Sequence, residues 1–309
     1  MSRAAGLPAD IEVFQRGWLS ANNVLLRGRD GCALVDSGYV THARQTLALV
    51  QRSLGTDPLD VLVNTHLHSD HCGGNAALQQ AYPALETRIP PGQASNVSNW
   101  DPVALGYTPT GQNCPAFRFD ALLMPDSEID LGQRRWQIHS APGHDPHLVL
   151  LYEPKLRLLI SADALWENGF GVVFPELAGE PAFGEVERTL KLIQSLSPKI
   201  VIPGHGPIFS NLQSSLDIAW RRLDRFRSNP RQHAWHAAKV LVKFKLLEWR
   251  RITDDDLLAW AQTVSHLHVI RENHFSEETF SQWIGRIVDE LEQAGAARRE
   301  GEWVTDQSP

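Results

Sequence analysis

The sequence contains few cysteines, and their spacing excludes a disulfide framework. Of its 309 residues only 3 are cysteines, Cys32, Cys72 and Cys114, and none of them forms a CxxC pair. Small disulfide-stapled folds use an even number of cysteines at regular spacings, which this chain does not have. The scarcity of cysteine favours a reducing compartment, and we expect a cytoplasmic protein.

Long apolar runs and a secretory leader are also missing. The stretch from Met1 to Asp10 has one basic residue, Arg3, and lacks the apolar segment that a signal peptide carries after it. Elsewhere no apolar run approaches the roughly 20 residues that a membrane-spanning helix needs. These absences predict a chain without a membrane association.

A surplus of basic residues is absent as well. The chain carries 29 Lys and Arg residues against 36 Asp and Glu residues, which gives a net charge of −7. From Trp220 to Pro309 the basic and acidic residues are equal in number. Because proteins that bind nucleic acid usually carry a basic surface, nucleic acid is not the expected partner.

Apolar patterning predicts alternating strands and helices up to about residue 210. The runs predicted as strands are Ile11–Phe14, Val24–Arg27, Cys32–Asp36, Val61–Asn64, Trp136–Ser140, Leu148–Tyr152, Leu158–Ala162 and Ile200–Ile202. The segments predicted as helices are Thr41–Leu54, Gly74–Ala81 and Glu185–Leu196. Residues 90–118 are rich in Pro, Gly, Asn and Gln, and they are predicted to form a long loop or insertion.

The remainder of the chain has a different character. Its segments are mostly helical up to Gln293, with long amphipathic runs such as Ala237–Trp249. Residues 296–305 contain Arg-Glu-Gly-Glu between two short β-capable runs, which predicts a hairpin. We therefore predict two domains, one over residues 1–210 and a helical, winged-helix-like accessory region over residues 211–309.

One short segment, His66-Leu67-His68-Ser69-Asp70-His71, concentrates the side chains that bind metals. Imidazole nitrogens and carboxylate oxygens are common ligands of zinc and similar divalent ions. In an extended segment residues i and i+2 point to one face, so His66 and His68 can reach the same ion. Asp70 and His71, one tight turn further on, can reach a second ion beside it.

Four side chains cannot complete two metal sites, so further ligands are expected at the ends of other strands. Three polar residues follow apolar runs and stand among turn residues. They are His144 in Pro-Gly-His-Asp, Asp163 in Ser-Ala-Asp-Ala and His205 in Pro-Gly-His-Gly. The repeated order of strand, turn and ligand predicts that these residues join the histidine cluster.

In this order the motifs resemble those of the metallo-β-lactamase superfamily over about residues 10–210. The segment Leu34-Val35-Asp36-Ser37-Gly38 is similar to the first motif of that family, in which the Asp supports a metal ligand. The resemblance implies an α/β fold, a four-layered αββα sandwich with the ligands on loops at one edge of two packed sheets.

The resemblance also implies a role for each residue. His66, His68 and His144 would hold the first metal, Asp70, His71 and His205 the second, and Asp163 would bridge both. Asp36 would hold the second nitrogen of a ligand histidine. A hydroxide shared by two divalent ions would attack the substrate, with Asp70 and Asp163 as the catalytic carboxylates. Zinc is the expected metal, and iron or manganese would fit the same ligands.

The substrate is less well determined by the sequence. The di-iron oxidoreductase members of the family carry Glu at the position of His68 and have a flavin-binding domain, which this sequence lacks. Both differences argue against an oxidoreductase. Trp166, Phe170 and Trp100 are candidates for an apolar pocket wall, which suits a small molecule with an acyl or aromatic group. We expect a metal-dependent hydrolase of a small-molecule ester, thioester or lactone. The alternatives are a phosphodiesterase or ribonuclease of the same fold, and a slow-turnover regulatory protein; a homo-oligomer is also compatible with the sequence.

Overall fold

Two mixed β-sheets form the centre of the computed structural model, which describes residues 6–29 and 31–307. Residues 1–5, which belong to the segment whose composition argues against a secretory leader, lie outside the described residues. The first sheet has the order β1-β2-β3-β4-β5-β6. Its strands are β1 (Ile11–Phe14), β2 (Asn23–Gly28), β3 (Gly31–Val35), β4 (Val61–Val63), β5 (Glu86–Ile89) and β6 (Ala121–Leu122). The strands from β3 to β6 run parallel, and the pairs β1–β2 and β2–β3 are antiparallel.

The second sheet has the order β11-β10-β9-β8-β7. Its strands are β7 (Glu128–Leu131), β8 (Arg134–Ser140), β9 (Val149–Glu153), β10 (Leu158–Ala162) and β11 (Ile200–Pro203). Only β10 and β11 are parallel in this sheet. The two sheets share an apolar core in which Val35 and Val63 of the first sheet pack with Trp136 and Ile160 of the second.

Helices cover the outer face of each sheet. The helices in this part of the chain are α1 (Ala43–Leu54), α2 (Ser69–Cys72), α3 (Asn75–Ala81), α4 (Ala94–Ser98), α5 (Tyr107–Thr110), α6 (Phe174–Leu177), α7 (Phe183–Leu196) and α8 (Leu212–Ser228). Leu54 of α1 and Leu78 of α3 pack on the first sheet. Leu190 of α7 and Leu223 of α8 pack on the second. The layers are therefore α, β, β and α, as the sequence predicts.

The rest of the chain builds a separate apolar core. It comprises α9 (Pro230–Trp249), β12 (Arg251–Thr253), α10 (Asp254–Thr263), α11 (Ser265–His274), α12 (Phe280–Gln293), β13 (Ala297–Glu300) and β14 (Trp303–Asp306). Its three strands form a small antiparallel sheet in the order β12-β14-β13. Val172 and Leu177 from the first part of the chain pack into this core, so the two parts share an apolar contact.

Several features were not expected from the sequence, among them the strands β5, β6 and β7. The segment 90–118 is not one loop, because α4 and α5 lie within it and Val97 and Tyr107 are buried in a small core of their own. Helix α8 packs in the core of the second sheet, and the second core begins with α9. Strand β12 adds a third strand to the expected hairpin. Among the described residues, the helices lack the combination of length and apolar composition that crossing a membrane requires.

Candidate metal centre

The predicted ligands follow strand ends at one edge of the two sheets. His66 and its neighbours come after β4, His144 after β8, Asp163 directly after β10 and His205 after β11. Ala162, the last residue of β10, has a φ of +46° and turns the chain so that Asp163 leaves the strand. Backbone in this left-handed region is costly for a residue other than glycine, and such strain is concentrated at functional sites.

His66, His68 and His144 form the first cluster, as the sequence predicts. Their ligand atoms all lie within 4.8 Å of one another. Nδ1 of His68 lies 3.1 Å from Nε2 of His66 and 2.8 Å from Nε2 of His144. Burial, together with the neighbouring histidines, holds the pKa of His66 well below its usual range and lowers that of His144 to about 4. Both rings are therefore neutral near pH 7, which is the form that binds a metal.

Asp70, His71 and His205 gather with Asp163 in a second cluster. Nε2 of His205 lies 3.0 Å from Oδ2 of Asp70, and Nε2 of His71 lies 3.4 Å from Oδ1 of Asp163. Burial raises the pKa of Asp163, but His205 and His71 oppose it and hold the pKa of this carboxyl well below its usual range. The pKa of Asp70 is lowered in the same way, with His71 and His205 as the opposing groups. Both carboxyl groups are therefore ionised.

Asp163 lies between the two clusters and faces each of them. Its Oδ1 points to His71, as described, and its Oδ2 lies 3.4 Å from Nε2 of His144 and 3.8 Å from Nε2 of His205. The backbone of Gly204 passes so close that an added Cβ would meet Oδ1 of Asp163 at 2.1 Å. This position therefore requires a glycine, and the carboxylate is fixed where one oxygen is available to each cluster.

The donor set fits divalent ions. Ligands placed tetrahedrally at 2.0–2.1 Å from one zinc ion lie about 3.3–3.4 Å apart, close to the separations found in both clusters. The buried Nε2 of His71 makes no hydrogen bond, although it points toward a carboxylate. A buried polar atom without a partner is rare, and a ligand position explains it. The fold thus brings together the residues that the sequence predicts as ligands, with Asp163 grouped with Asp70, His71 and His205.

Further contacts orient the ligand rings. Oδ2 of Asp36 lies 2.8 Å from Nδ1 of His71 and accepts a hydrogen bond from the Thr65 hydroxyl at 2.8 Å. Nδ1 of His144 lies 2.6 Å from the carbonyl oxygen of Val172. Asp36 therefore occupies the supporting position that the sequence suggests. The contact of the Val172 carbonyl with His144 could not be predicted in this way, because every residue has a backbone carbonyl.

Asp145 is a residue that the sequence-based assignment missed. Its Oδ2 lies 3.6 Å from Nε2 of His68, which leaves Nδ1 of that ring for the first cluster. The signal was present, because Asp145 belongs to the same Pro-Gly-His-Asp motif as His144. Cys72 belongs to neither cluster, since its buried thiol contacts the Tyr107 hydroxyl at 3.2 Å.

Both clusters open into a cavity of about 630 Å³. Trp166 lines this cavity as expected and donates a hydrogen bond from Nε1 to Oδ1 of Asp163 at 3.2 Å. Trp18, which is 53% exposed, also lines it and stacks on the His205 ring at a centroid distance of 5.4 Å. Side chains from α5, α6, α8, α9, α11 and α12 complete a mostly apolar wall.

Phe170 and Trp100 do not line this cavity, which corrects the sequence-based expectation. Phe170 is buried in the core between the second sheet and α8, where its ring contacts that of Phe226. Trp100 packs against Tyr107 and Phe117. Phe170 was expected at the cavity because it is close in sequence to Asp163, and Trp100 because it is an aromatic residue in an apparent loop. Neither property indicates which side chains face the cavity.

A family model described as the metallo-beta-lactamase superfamily matches residues 16–205. The chain belongs to this superfamily. One of its relatives is the probable metallo-hydrolase YqgX of Bacillus subtilis, 29% identical over 199 residues, which cover 62% of this chain and 87% of the relative. A hydroxyacylglutathione hydrolase of Anaeromyxobacter dehalogenans is 32% identical, with 67% and 70% covered. The human acyl-coenzyme A thioesterase MBLAC2 is 24% identical, with 64% and 77% covered.

Solved structures of the superfamily share the fold. The metallo-beta-lactamase family protein TTHA1429 from Thermus thermophilus is 16% identical, covers 97% of this chain and 99% of its own, and gives a TM-score of 0.58. This superposition therefore includes the region after residue 210. TTHA1623, solved in a di-iron-bound form, is 25% identical and covers 67% of this chain and 98% of its own, with a TM-score of 0.54.

Proposed function

We propose that this member of the metallo-β-lactamase superfamily is a binuclear metal-dependent hydrolase of small acyl esters, with thioesters as the first choice. One observation carries the proposal: two clusters of candidate metal ligands, with Oδ2 of Asp163 in the second cluster 3.4 Å from Nε2 of His144 in the first, open into a large and mostly apolar cavity. Apolar walls with a few convergent polar groups are typical of small-molecule sites. An acyl chain can occupy such a cavity while its carbonyl group lies at the ligand clusters.

His66, His68 and His144 would hold one ion, Asp70, His71 and His205 the other, and Asp163 would contact both. When bound, divalent ions lower the pKa of water toward 7 and polarise a carbonyl oxygen. Zinc is the proposed metal, and the nitrogen and carboxylate donors are equally compatible with iron or manganese.

Residues of the chain itself would position the substrate and transfer a proton. Asp70 is ionised and partly exposed beside the cavity, so its Oδ2 can accept a proton and pass it to the leaving group. Phe174, whose ring contacts those of His68 and His144, covers the first cluster on one side. Trp18 and Trp166 contact the ring of His205 on the other side.

The relatives favour thioesters within the wider class of esters. One is named an acyl-coenzyme A thioesterase, and another is named for the hydrolysis of an acylated glutathione. Their sequence identities to this chain are 24% and 32%, so they support a reaction class and leave the acyl group open. A lactone or an oxygen ester needs the same attack on a carbonyl carbon.

Metal analysis combined with a substrate panel tests this proposal. The purified protein should contain about two divalent ions per chain and should cleave acyl thioesters or esters faster than bis-aryl phosphodiesters and single-stranded RNA. Replacing the shared carboxylate in Asp163→Ala should lower both the metal content and the rate, the latter at least about 100-fold. Asp217→Ala, at an exposed position of α8, is the matched control and should change neither.

Two outcomes would contradict the proposal. Cleavage of phosphodiesters or RNA in preference to every ester would favour the nuclease alternative. Full metal content with negligible rates on all substrates would favour a regulatory protein. An unchanged rate in Asp163→Ala would refute a reaction that depends on both clusters.

A further inference from the structure

The wall of the cavity formed by α8, α9 and α12 carries cationic side chains. Arg222 of α8 and Lys239 and Lys243 of α9 all line the cavity. Their presence is unexpected in a chain with a net charge of −7 and in a wall that is otherwise mostly apolar. What each cation contacts decides whether it is available to a ligand.

Both lysines already have carboxylate partners. Nζ of Lys239 lies 3.0 Å from Oε2 of Glu290, which also accepts a hydrogen bond from the Trp235 indole. Lys243 forms an ion pair with Asp306 and donates to the Ala296 carbonyl. Their charges are therefore neutralised within the protein, and they tie α9 to α12 and to β14.

Arg222 is different, because within residues 6–29 and 31–307 no carboxylate lies at ion-pair distance from its guanidinium. Its Nη1 donates one hydrogen bond, of 2.7 Å, to the Phe170 carbonyl. The side chain is partly buried and packs directly on Gly169, where an added Cβ would meet Cζ of Arg222 at 2.6 Å. A guanidinium carries five N–H donors, so most of its donors remain for a ligand.

Among the described residues, the surroundings of Arg222 offer its charge the Phe170 ring, 5.8 Å from Cζ, but no carboxylate. Burial, with a smaller effect from Arg225, lowers the pKa of the guanidinium. His236, which lines the same wall, stays neutral, because burial and then Arg222 and Lys239 lower its pKa to about 4. A cation removed from water without a counter-ion is unfavourable, and an anion that enters the cavity would relieve that cost.

We propose that Arg222 binds an anionic group of the substrate, a carboxylate or a phosphate, while the scissile acyl bond lies at the ligand clusters of the same cavity. This inference rests on the proposed function for the identity of the scissile bond. The planar fork of arginine pairs with both anions through two parallel hydrogen bonds, whereas lysine acts as a point charge. The substrate class is therefore an acyl ester or thioester that carries an anion on its acyl or leaving group.

Matched thioesters test the inference on the metal-loaded full chain. Butanoyl thioesters of mercaptoethanol, mercaptopropanoate and mercaptoethyl phosphate share one acyl group and differ in the charge of the thiol. The wild type should prefer at least one charged thioester by about tenfold in kcat/KM, and Arg222→Gln should remove that preference through a higher KM. The carboxylate and phosphate arms identify which anion the site prefers. Arg222→Lys, which keeps the charge and loses the fork, should retain part of it.

A binding measurement separates this inference from the proposed function. Calorimetry with glutarate and with inorganic phosphate should show binding to the wild type at least about fivefold tighter than to Arg222→Gln. Any anion bound at the metal ions contributes equally to both proteins, so the difference reports Arg222. Arg221→Gln, at the exposed neighbouring position, is the control and should match the wild type.

Equal binding and equal charge preference in wild type and Arg222→Gln overturn the anion site and leave a thioesterase intact. Tighter binding by the wild type without cleavage of any ester supports the anion site and refutes the proposed function. Arg222→Lys decides the first question if Arg222→Gln does not fold, because a reduced preference in Arg222→Lys supports paired binding by the guanidinium and an unchanged preference refutes it.

Discussion

Among single residues, Asp36 shows most directly how a side chain outside the ligand clusters acts on them. Its Oδ1 accepts a hydrogen bond from the Thr65 backbone N–H at 2.9 Å, and its Oδ2 accepts one from the Thr65 hydroxyl at 2.8 Å. Oδ2 also lies 2.8 Å from Nδ1 of His71. Burial lowers the pKa of His71, but Asp36 and then Asp163 oppose it and raise that pKa well above its usual range. The carboxylate therefore fixes both the orientation of the ring and its proton.

Replacing this carboxylate in Asp36→Asn should weaken metal binding about 10- to 100-fold, because an amide holds the ligand ring less firmly and without charge. Competition with a chelator of known affinity measures the change. Asp57→Asn removes a carboxylate from an exposed position and should leave metal affinity as it is. Equal affinities for the wild type and Asp36→Asn would show that His71 is oriented by packing alone.

At the scale of elements, local patterning predicted eight strands of the two sheets and the helices α1, α3 and α7, because each follows a period of two or of about 3.6 residues, and it did not predict β5, β6 and β7. Strands β1 and β10 have the predicted bounds, and α1 and α7 differ from theirs by two residues at the start. The short helices α4 and α5 were missed, because each spans little more than one turn among Pro, Gly and Asn. Strand β12, three residues long, is too short to show any period.

Helix α12 illustrates a stability contribution that is local. It begins with a capping box, in which the Thr279 hydroxyl accepts from the Gln282 backbone and the Gln282 side chain accepts from the Thr279 backbone. Thr279→Ala should lower the free energy of unfolding by about 1 kcal/mol in urea titrations. Gly285→Ala, in the same helix where an added Cβ meets nothing, should instead raise it by about 0.5–1 kcal/mol. A change of the same sign in both variants would contradict this interpretation.

For the molecule as a whole, the ligand clusters could be predicted from the sequence and the cavity could not. Each ligand stands in a short motif after an apolar run, so its place at a strand end was readable locally. The cavity wall, in contrast, is assembled from α5, α6, α8, α9, α11 and α12, and their side chains meet only after the two parts of the chain have packed. Trp100 and Phe170 were misplaced for that reason.

His233 of α9 gives the whole molecule a dependence on pH. Burial, then His236 and His274, lowers the pKa of His233 to about 3, so its ring is neutral when folded and accepts from the Val173 backbone N–H at 3.2 Å. In the unfolded chain its pKa is about 6.5, so the unfolded state binds more protons between these values. Its contribution to stability is full above pH 6.5 and is lost as the pH falls toward 3.

His233→Gln retains an acceptor and removes this titration. The free energy of unfolding of the variant should therefore fall less steeply than that of the wild type between about pH 6.5 and pH 4, by up to about 1.4 kcal/mol per pH unit. Urea titrations across this range, on protein stripped of metal, measure the two slopes. Parallel slopes would show that His233 is not protonated when the chain unfolds.

The contacts of residues 172 and 173 imply an order in which the molecule loses its properties under stress. The Val172 carbonyl accepts from a ligand histidine, and its side chain packs in the core formed by the helices after residue 229. The next N–H is held by His233. Loosening of those distant helices therefore releases His144 before either sheet is disturbed. Under mild heating the first cluster should release its metal while the spectroscopic signal of the folded state is still unchanged.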